Sequence, residues 1–157
     1  MGNPQPAPLP RLGQGFYWQD LHVGQRFRTF RRTVTEADLV AFINCTGMLE
    51  AIFIEQGYEG AAIGGRPVPG ALTYTFIEGF VLQTMIQGTG LAMLELTQKI
   101  LAPVCVGDTI GAEVEVTGIR PTSTKGRAVV TSVIDVFNQR ENVMTYTATR
   151  LLAGRPN

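Results

Sequence analysis

The cleanest alternation of apolar and polar positions lies in the second half of the chain. Between Thr109 and Ile119, Ile110, Ala112, Val114 and Val116 alternate with Glu113 and Glu115, the period of two of a strand with one buried face. Ala92 to Leu101, Arg127 to Phe137 and Val143 to Leu152 predict three further strands. The polar runs Arg120–Gly126 and Asn138–Asn142 predict hairpin loops between them. Upstream the period lengthens. From Gly70 to Gln87, Leu72, Phe76, Phe80 and Gln83 share one stripe, with Tyr74, Glu78, Val81, Leu82 and Met85 around it. A helix apolar on most of its sides is expected to be buried. A shorter helix is predicted after Thr35, an N-cap with Asp38 as its capping-box partner. Leu39, Val40, Phe42 and Ile43 supply its period and Gly47 its stop. Gly24 to Val34 reads as a first strand. Met48 to Pro69 has no period and reads as a long glycine-containing loop with at most one helical turn, of the length that is often functional. One buried helix followed by an antiparallel meander predicts an α+β fold with the sheet wrapping the helix.

Composition narrows the class. The 157 residues, 45% apolar, suffice for one domain with a core that needs no staples. Met1 to Gly15, rich in Pro, Gly and Gln, reads as a flexible arm, leaving 16–157 as the domain. The arm has no apolar run of the kind a signal peptide needs. The best apolar stretch, Ala71 to Ile86, is interrupted by Glu78 and Gln83, so no membrane span is expected and the cytoplasm is the expected compartment. Thirteen basic and thirteen acidic residues cancel, which argues against a nucleic-acid partner. Cys45, Cys105 and the single His22 fit no metal or redox spacing. The thiols are expected to be reduced, and neither metal nor cofactor is expected.

Five segments in order carry a family resemblance. Tyr17-x-x-Asp20-Leu21-x-Val23-Gly24-Gln25-Arg26-Phe27 resembles the opening of MaoC-like hydratases and dehydratases, and Thr33-Val34-Thr35-Glu36-Ala37-Asp38 their first helix cap. Thr46-Gly47 is similar to the turn before their active-site loop. Gly64-Gly65-Arg66-x-x-x-Gly70 is similar to the entry to their central helix, and Leu101-Ala102-Pro103-Val104-x-x-Gly107-Asp108-Thr109 to a strand connection. The match runs from about Phe16 to Leu152. It implies a hot-dog fold, a homodimer or a heterodimer with another hot-dog chain, an acyl-CoA or acyl carrier protein thioester as ligand, and a place in fatty acid metabolism.

The resemblance fails at the catalytic motif. Active members carry Asp directly after Thr-Gly and His five residues later, the pair that activates water for 2-enoyl or 3-hydroxyacyl thioesters. Met48 and Phe53 stand at those positions, between matching Gly47 and Tyr58, and neither moves a proton. Pro69 stands where the family often has His. The only His, His22, reads as an exposed turn residue, which leaves no Ser-His-Asp triad. Related dehydratases with a His/Glu pair are excluded too, because their His would fall near Ala61.

Several residues remain as candidates. Glu50 and Glu55 repeat the five-residue spacing two positions later and would serve as acid and base if burial raised one pKa. Glu78, inside the apolar helix, must be paired, protonated or beside a polar cavity, and some hot-dog thioesterases carry a catalytic carboxylate on this helix. The alternative for Glu78 is a seam residue bonded to Tyr74, Thr75 or a partner chain. Gly70, at a helix start, offers free N–H groups that would polarise a thioester carbonyl, and Arg66 would meet a CoA phosphate. Four readings follow: a binding or accessory subunit whose apolar acyl tunnel is lined by Met48 and Phe53, a thioesterase using Glu78, a hydratase using Glu50 and Glu55, and a structural protein without ligand.

Overall fold

A computed structural model describes residues 9–124 and 126–156. Its longest helix owes its place to its composition. α3 (Gly70–Thr84) presents Leu72, Thr73, Ile77, Glu78 and Val81 to the interior, and a helix so apolar finds no stable position on a wet surface. Around it runs an antiparallel sheet of β1 (Arg26–Arg28), β2 (Arg32–Thr33), β3 (Gly90–Ile100), β4 (Thr109–Pro121), β5 (Arg127–Phe137) and β6 (Asn142–Ala153). The path across it is β1-β4-β5-β6-β3, with β2 also on β4. On β4, Ile110, Ala112, Val114 and Val116 face the core at 2% exposure or less, as the alternation predicts.

α1 (Glu36–Thr46) begins at the expected cap. The Thr35 side chain accepts from the Asp38 N–H, and Asp38 accepts from the Thr35 N–H. It stops at Gly47, whose φ of 74° is the left-handed conformation that glycine adopts without strain. Arg32 pairs with Asp38 at 2.7 Å and lies 4.0 Å from the centroid of the Phe76 ring, which ties this cap to α3. The loop after Gly47 contains one short helix, α2 (Ala51–Ile54).

Three boundaries differ from the sequence reading. The strand expected over Gly24–Val34 is split into β1 and β2, because Thr29 exchanges bonds with Ala112, its N–H donating to the carbonyl and its Oγ1 accepting from the N–H. α3 stops at Thr84 rather than Gln87, and its end is met by the chain's own N-terminal segment: Phe16 N–H donates to Met85 O, and Gly15 N–H to Gln87 O. Of the expected arm, residues 1–8 lie outside the described residues, and Gly15 is buried rather than free. β3 is a true edge strand. All eleven of its residues are exposed, including Leu91, Met93, Leu94 and Leu96, and two irregularities in its pairing with β6 fall at Leu91 and Leu94.

Candidate functional site

The N-terminus of α3 opens on an apolar cavity of about 180 Å³. α2 contributes Ile52 and Phe53, α3 contributes Gly70 and Thr73, and the chain around Val104 and Met144 closes the remaining sides. Phe53 and Gly70, singled out separately in the sequence, therefore share one cavity. Pro69 is the N-cap residue of α3 and accepts from the Leu72 N–H at 2.9 Å. The first amides of the helix lack a partner one turn back, as at any helix start, and direct their dipoles outward. A Cβ at position 70 would lie 2.5 Å from Ile100 Cδ1, so glycine lets the Ile100 side chain close over the helix start. No lining residue of this cavity is titratable.

Other candidates lie elsewhere. Met48 follows Gly47 directly, is 41% exposed, and is not among the residues lining the cavity. Glu50 and Glu55 cap the two ends of α2, both exposed and both outside the cavity. His22 is an exposed turn residue whose N–H donates to the Gln25 side chain at 3.0 Å. Arg66, expected to face a phosphate, is instead a strap. Its Nη1 pairs with Glu36 of α1 and its Nη2 donates to the Phe53 carbonyl at 3.4 Å, while its buried Nε lacks a partner among the described residues.

Glu78 is paired and borders a cavity, as its place inside an apolar helix requires, but with other partners than those expected. Its partners are not Tyr74 or Thr75 but two β6 side chains: Tyr146 Oη donates to Oε1 at 2.7 Å, and Arg150 Nη2 donates to the same oxygen. Glu78 and Arg150 are 7% and 5% exposed. Burial, reinforced by the Glu78 charge, pushes the Tyr146 hydroxyl far above its ordinary pKa. The same causes raise that of Tyr74, whose ring meets Tyr146 edge-on with centroids 5.2 Å apart. The cluster borders a second cavity, about 740 Å³, next to β3. Eight residues separate Glu78 from Gly70, about 12 Å of helix, and the two cavities share no lining residue.

The sequence reading missed Ile100, Thr73 and Met144 as cavity residues, and Tyr146 and Arg150 as partners of Glu78. Their only local signal was membership of an alternating strand or an apolar helix. Among the described residues no cluster of His, Cys, Asp and Glu is arranged to hold a metal ion, and no helix is long and apolar enough to cross a membrane.

Comparison with known proteins fits this geometry. No family model matches the chain. It is 30% identical over 106 residues to an (R)-specific enoyl-CoA hydratase of Rhodospirillum rubrum, a match covering 67% of this chain and 72% of that protein. A MaoC-like dehydratase structure from the same organism superposes with a TM-score of 0.82 at 26% identity, over 91% of this chain and 100% of the other. A Mycobacterium tuberculosis protein with a double hot-dog fold superposes with a TM-score of 0.81 at 19% identity, over 94% of this chain and 47% of that one. With its central helix wrapped by an antiparallel sheet and an apolar cavity at the helix start, the chain belongs to the MaoC-like family of (R)-specific enoyl-CoA hydratases and dehydratases, and its fold is the hot-dog.

Proposed function

We propose that this chain binds acyl thioesters, of coenzyme A or of an acyl carrier protein, and does not hydrate or dehydrate them by itself. The observation that carries this reading is the lining of the cavity at the start of α3, which includes Phe53 and no carboxylate, imidazole, thiol or amine. Hydration needs a base for water and an acid for the α-carbon. Losing both roles costs on the order of 10⁴-fold or more. The amides at Gly70 remain available to polarise a carbonyl, but an oxyanion hole supplies no proton. The apolar lining favours retention of the acyl chain.

The same reading makes the chain one half of an assembly, either with its own copy or with a hot-dog chain that carries the Asp/His pair. β3 supports this. An edge strand with its residues exposed, leucines at both pairing irregularities and Glu95 and Lys99 as its only charges offers backbone and apolar surface that a second chain's edge would cover.

The test pairs two measurements on the purified chain. Loss of enoyl absorbance from crotonyl-CoA should stay at background, and calorimetric titration with butyryl-CoA should give saturable binding tighter than that of coenzyme A. Robust hydration would overturn the reading and return attention to Glu50, Glu55 and Glu78.

A further inference from the structure

We propose that the strand covering β3 is the β3 of a second copy of this chain, running antiparallel, with the two-fold axis at Thr97 and Glu95 of each copy opposite Lys99 of the other. The inference rests on the reading of the chain as one half of an assembly and names the other half.

The charges are the first argument. β3 carries Glu95 and Lys99, both exposed. They lie four residues apart on one strand, about 13 Å, too far to meet each other. Their neighbours across the ladder are Thr149 and Thr145 of β6, and Thr97 between them faces Thr147. Neither charge forms an ion pair among the described residues. One charge of each sign, equally spaced about Thr97, is complemented by an antiparallel copy of the same strand.

The backbone then limits the register. Pairing of β3 with β6 is unbroken from Glu95 to Ile100, and the Leu101 N–H donates to Val143 O on β6. Backbone groups alternate in direction along a strand. Those of Glu95, Thr97 and Lys99 therefore face β6, and those of Leu96, Gln98 and Ile100 face outward. A symmetric antiparallel pair sets outward residues against outward residues, which centres the axis on a residue rather than between two. An axis at Glu95 sets two carboxylates face to face, and one at Lys99 sets two ammonium groups face to face. Axes at Leu96, Gln98 or Ile100 leave both charges without a counter-charge opposite. The axis at Thr97 forms two opposite-charge pairs at once.

The same register covers apolar surface. It brings Ile100 of each copy, 59% exposed, next to Leu94 of the other, 53% exposed. It also sets Leu96 beside Gln98 of the other copy, on the face of the sheet that carries the buried residues of β6.

Sedimentation equilibrium of the whole chain and its charge variants tests the proposal. The unmodified chain should dimerise at micromolar concentration. Glu95→Lys and Lys99→Glu each set like charges opposite twice per dimer and should weaken it by about ten-fold or more at low salt. The double variant Glu95→Lys/Lys99→Glu exchanges the signs and should return to within about two-fold of the parent. A cross-link reads the axis directly. With the exposed Cys45 replaced by Ser, Thr97→Cys sets two thiols at a non-hydrogen-bonded pair within disulfide reach and should link under glutathione disulfide. Gln98→Cys, offset by two residues from its own copy, should not. All of these β3 positions are exposed, and circular dichroism melts show that each variant is folded. A monomeric parent overturns the proposal. Single variants that dimerise like the parent, a double variant no better than the singles, or linkage at Gln98→Cys instead of Thr97→Cys overturn the register. Saturable butyryl-CoA binding by a monomer leaves the thioester reading standing without this inference, and a dimer that binds no thioester does the reverse.

Discussion

Asp108 shows how one side chain can hold a family segment in shape. It is 4% exposed, and its carboxylate accepts from the Cys105 N–H at 3.0 Å, the Gln139 amide at 2.9 Å and Arg140 at 3.0 Å. Burial works against its ionisation, but these donors together outweigh burial and hold the carboxyl below its ordinary pKa. A lowered pKa means that the native state favours the deprotonated form. The stabilisation is therefore present above the ordinary carboxylate pKa, about 4, and is lost as pH falls through the lower folded value. Asp108→Asn should cost about 2–3 kcal/mol at neutral pH and should flatten the acid limb of the stability profile. Asp38, whose pKa is also lowered, leaves a residual limb. Urea titrations at several pH values check this, and superimposable acid limbs for the two proteins would refute it. Glu78 makes the opposite case, since the residue that looks most catalytic in the sequence is the one most firmly engaged. Removing it leaves Arg150 buried without its counter-charge, so Glu78→Ala should cost about 3–5 kcal/mol, read as a lowered melting temperature. A variant that keeps its stability but loses thioester hydrolysis would instead make Glu78 a catalytic group.

The secondary elements were legible in the sequence wherever their causes are local. Thr35, Asp38 and Gly47 mark both ends of α1 because capping is an interaction within a few residues. β4 was legible because one face meets the core and the other meets water. The end of α3 was not, because what meets it there is Gly15 and Phe16, from far away in the chain. The split between β1 and β2 likewise depends on Ala112 across the sheet. The candidate site divides in the same way. Phe53 and Gly70 belong to a recognisable ordered motif, whereas Ile100 and Met144 reach the cavity through strand pairing alone. The docking of the N-terminal segment yields a prediction at this scale. A Cβ on residue 15 would lie 2.5 Å from Gln87 N and 2.7 Å from Met85 O, both backbone atoms, whereas on residue 70 it meets the tip of the exposed Ile100 side chain. Gly15→Ala should therefore cost about 2 kcal/mol or more and Gly70→Ala about 1 kcal/mol or less. Thermal melts of the two variants check the order, and a reversed order would contradict the docking of Gly15.

At the scale of the whole molecule the sheet ends at β3. β3 pairs with β6 on one side, and among the described residues no strand covers its other side, where Leu91, Met93, Leu94 and Leu96 are exposed. If a second hot-dog chain covers this border, folding and association become one equilibrium, and stability becomes a property of the solution as well as of the sequence. For a homodimer a ten-fold dilution removes about 1.4 kcal/mol and should lower the melting temperature by about 2 °C. Leu94→Lys, which places a charge on the edge, should melt at a lower temperature that no longer depends on concentration. A dilution-independent melting temperature in the unmodified chain would point to a different partner or to none. The consequence reaches into the cell. A chain whose stability depends on its own abundance is depleted first when synthesis slows, because each dissociated copy has a weaker fold and an uncovered strand that proteases and aggregating neighbours can reach.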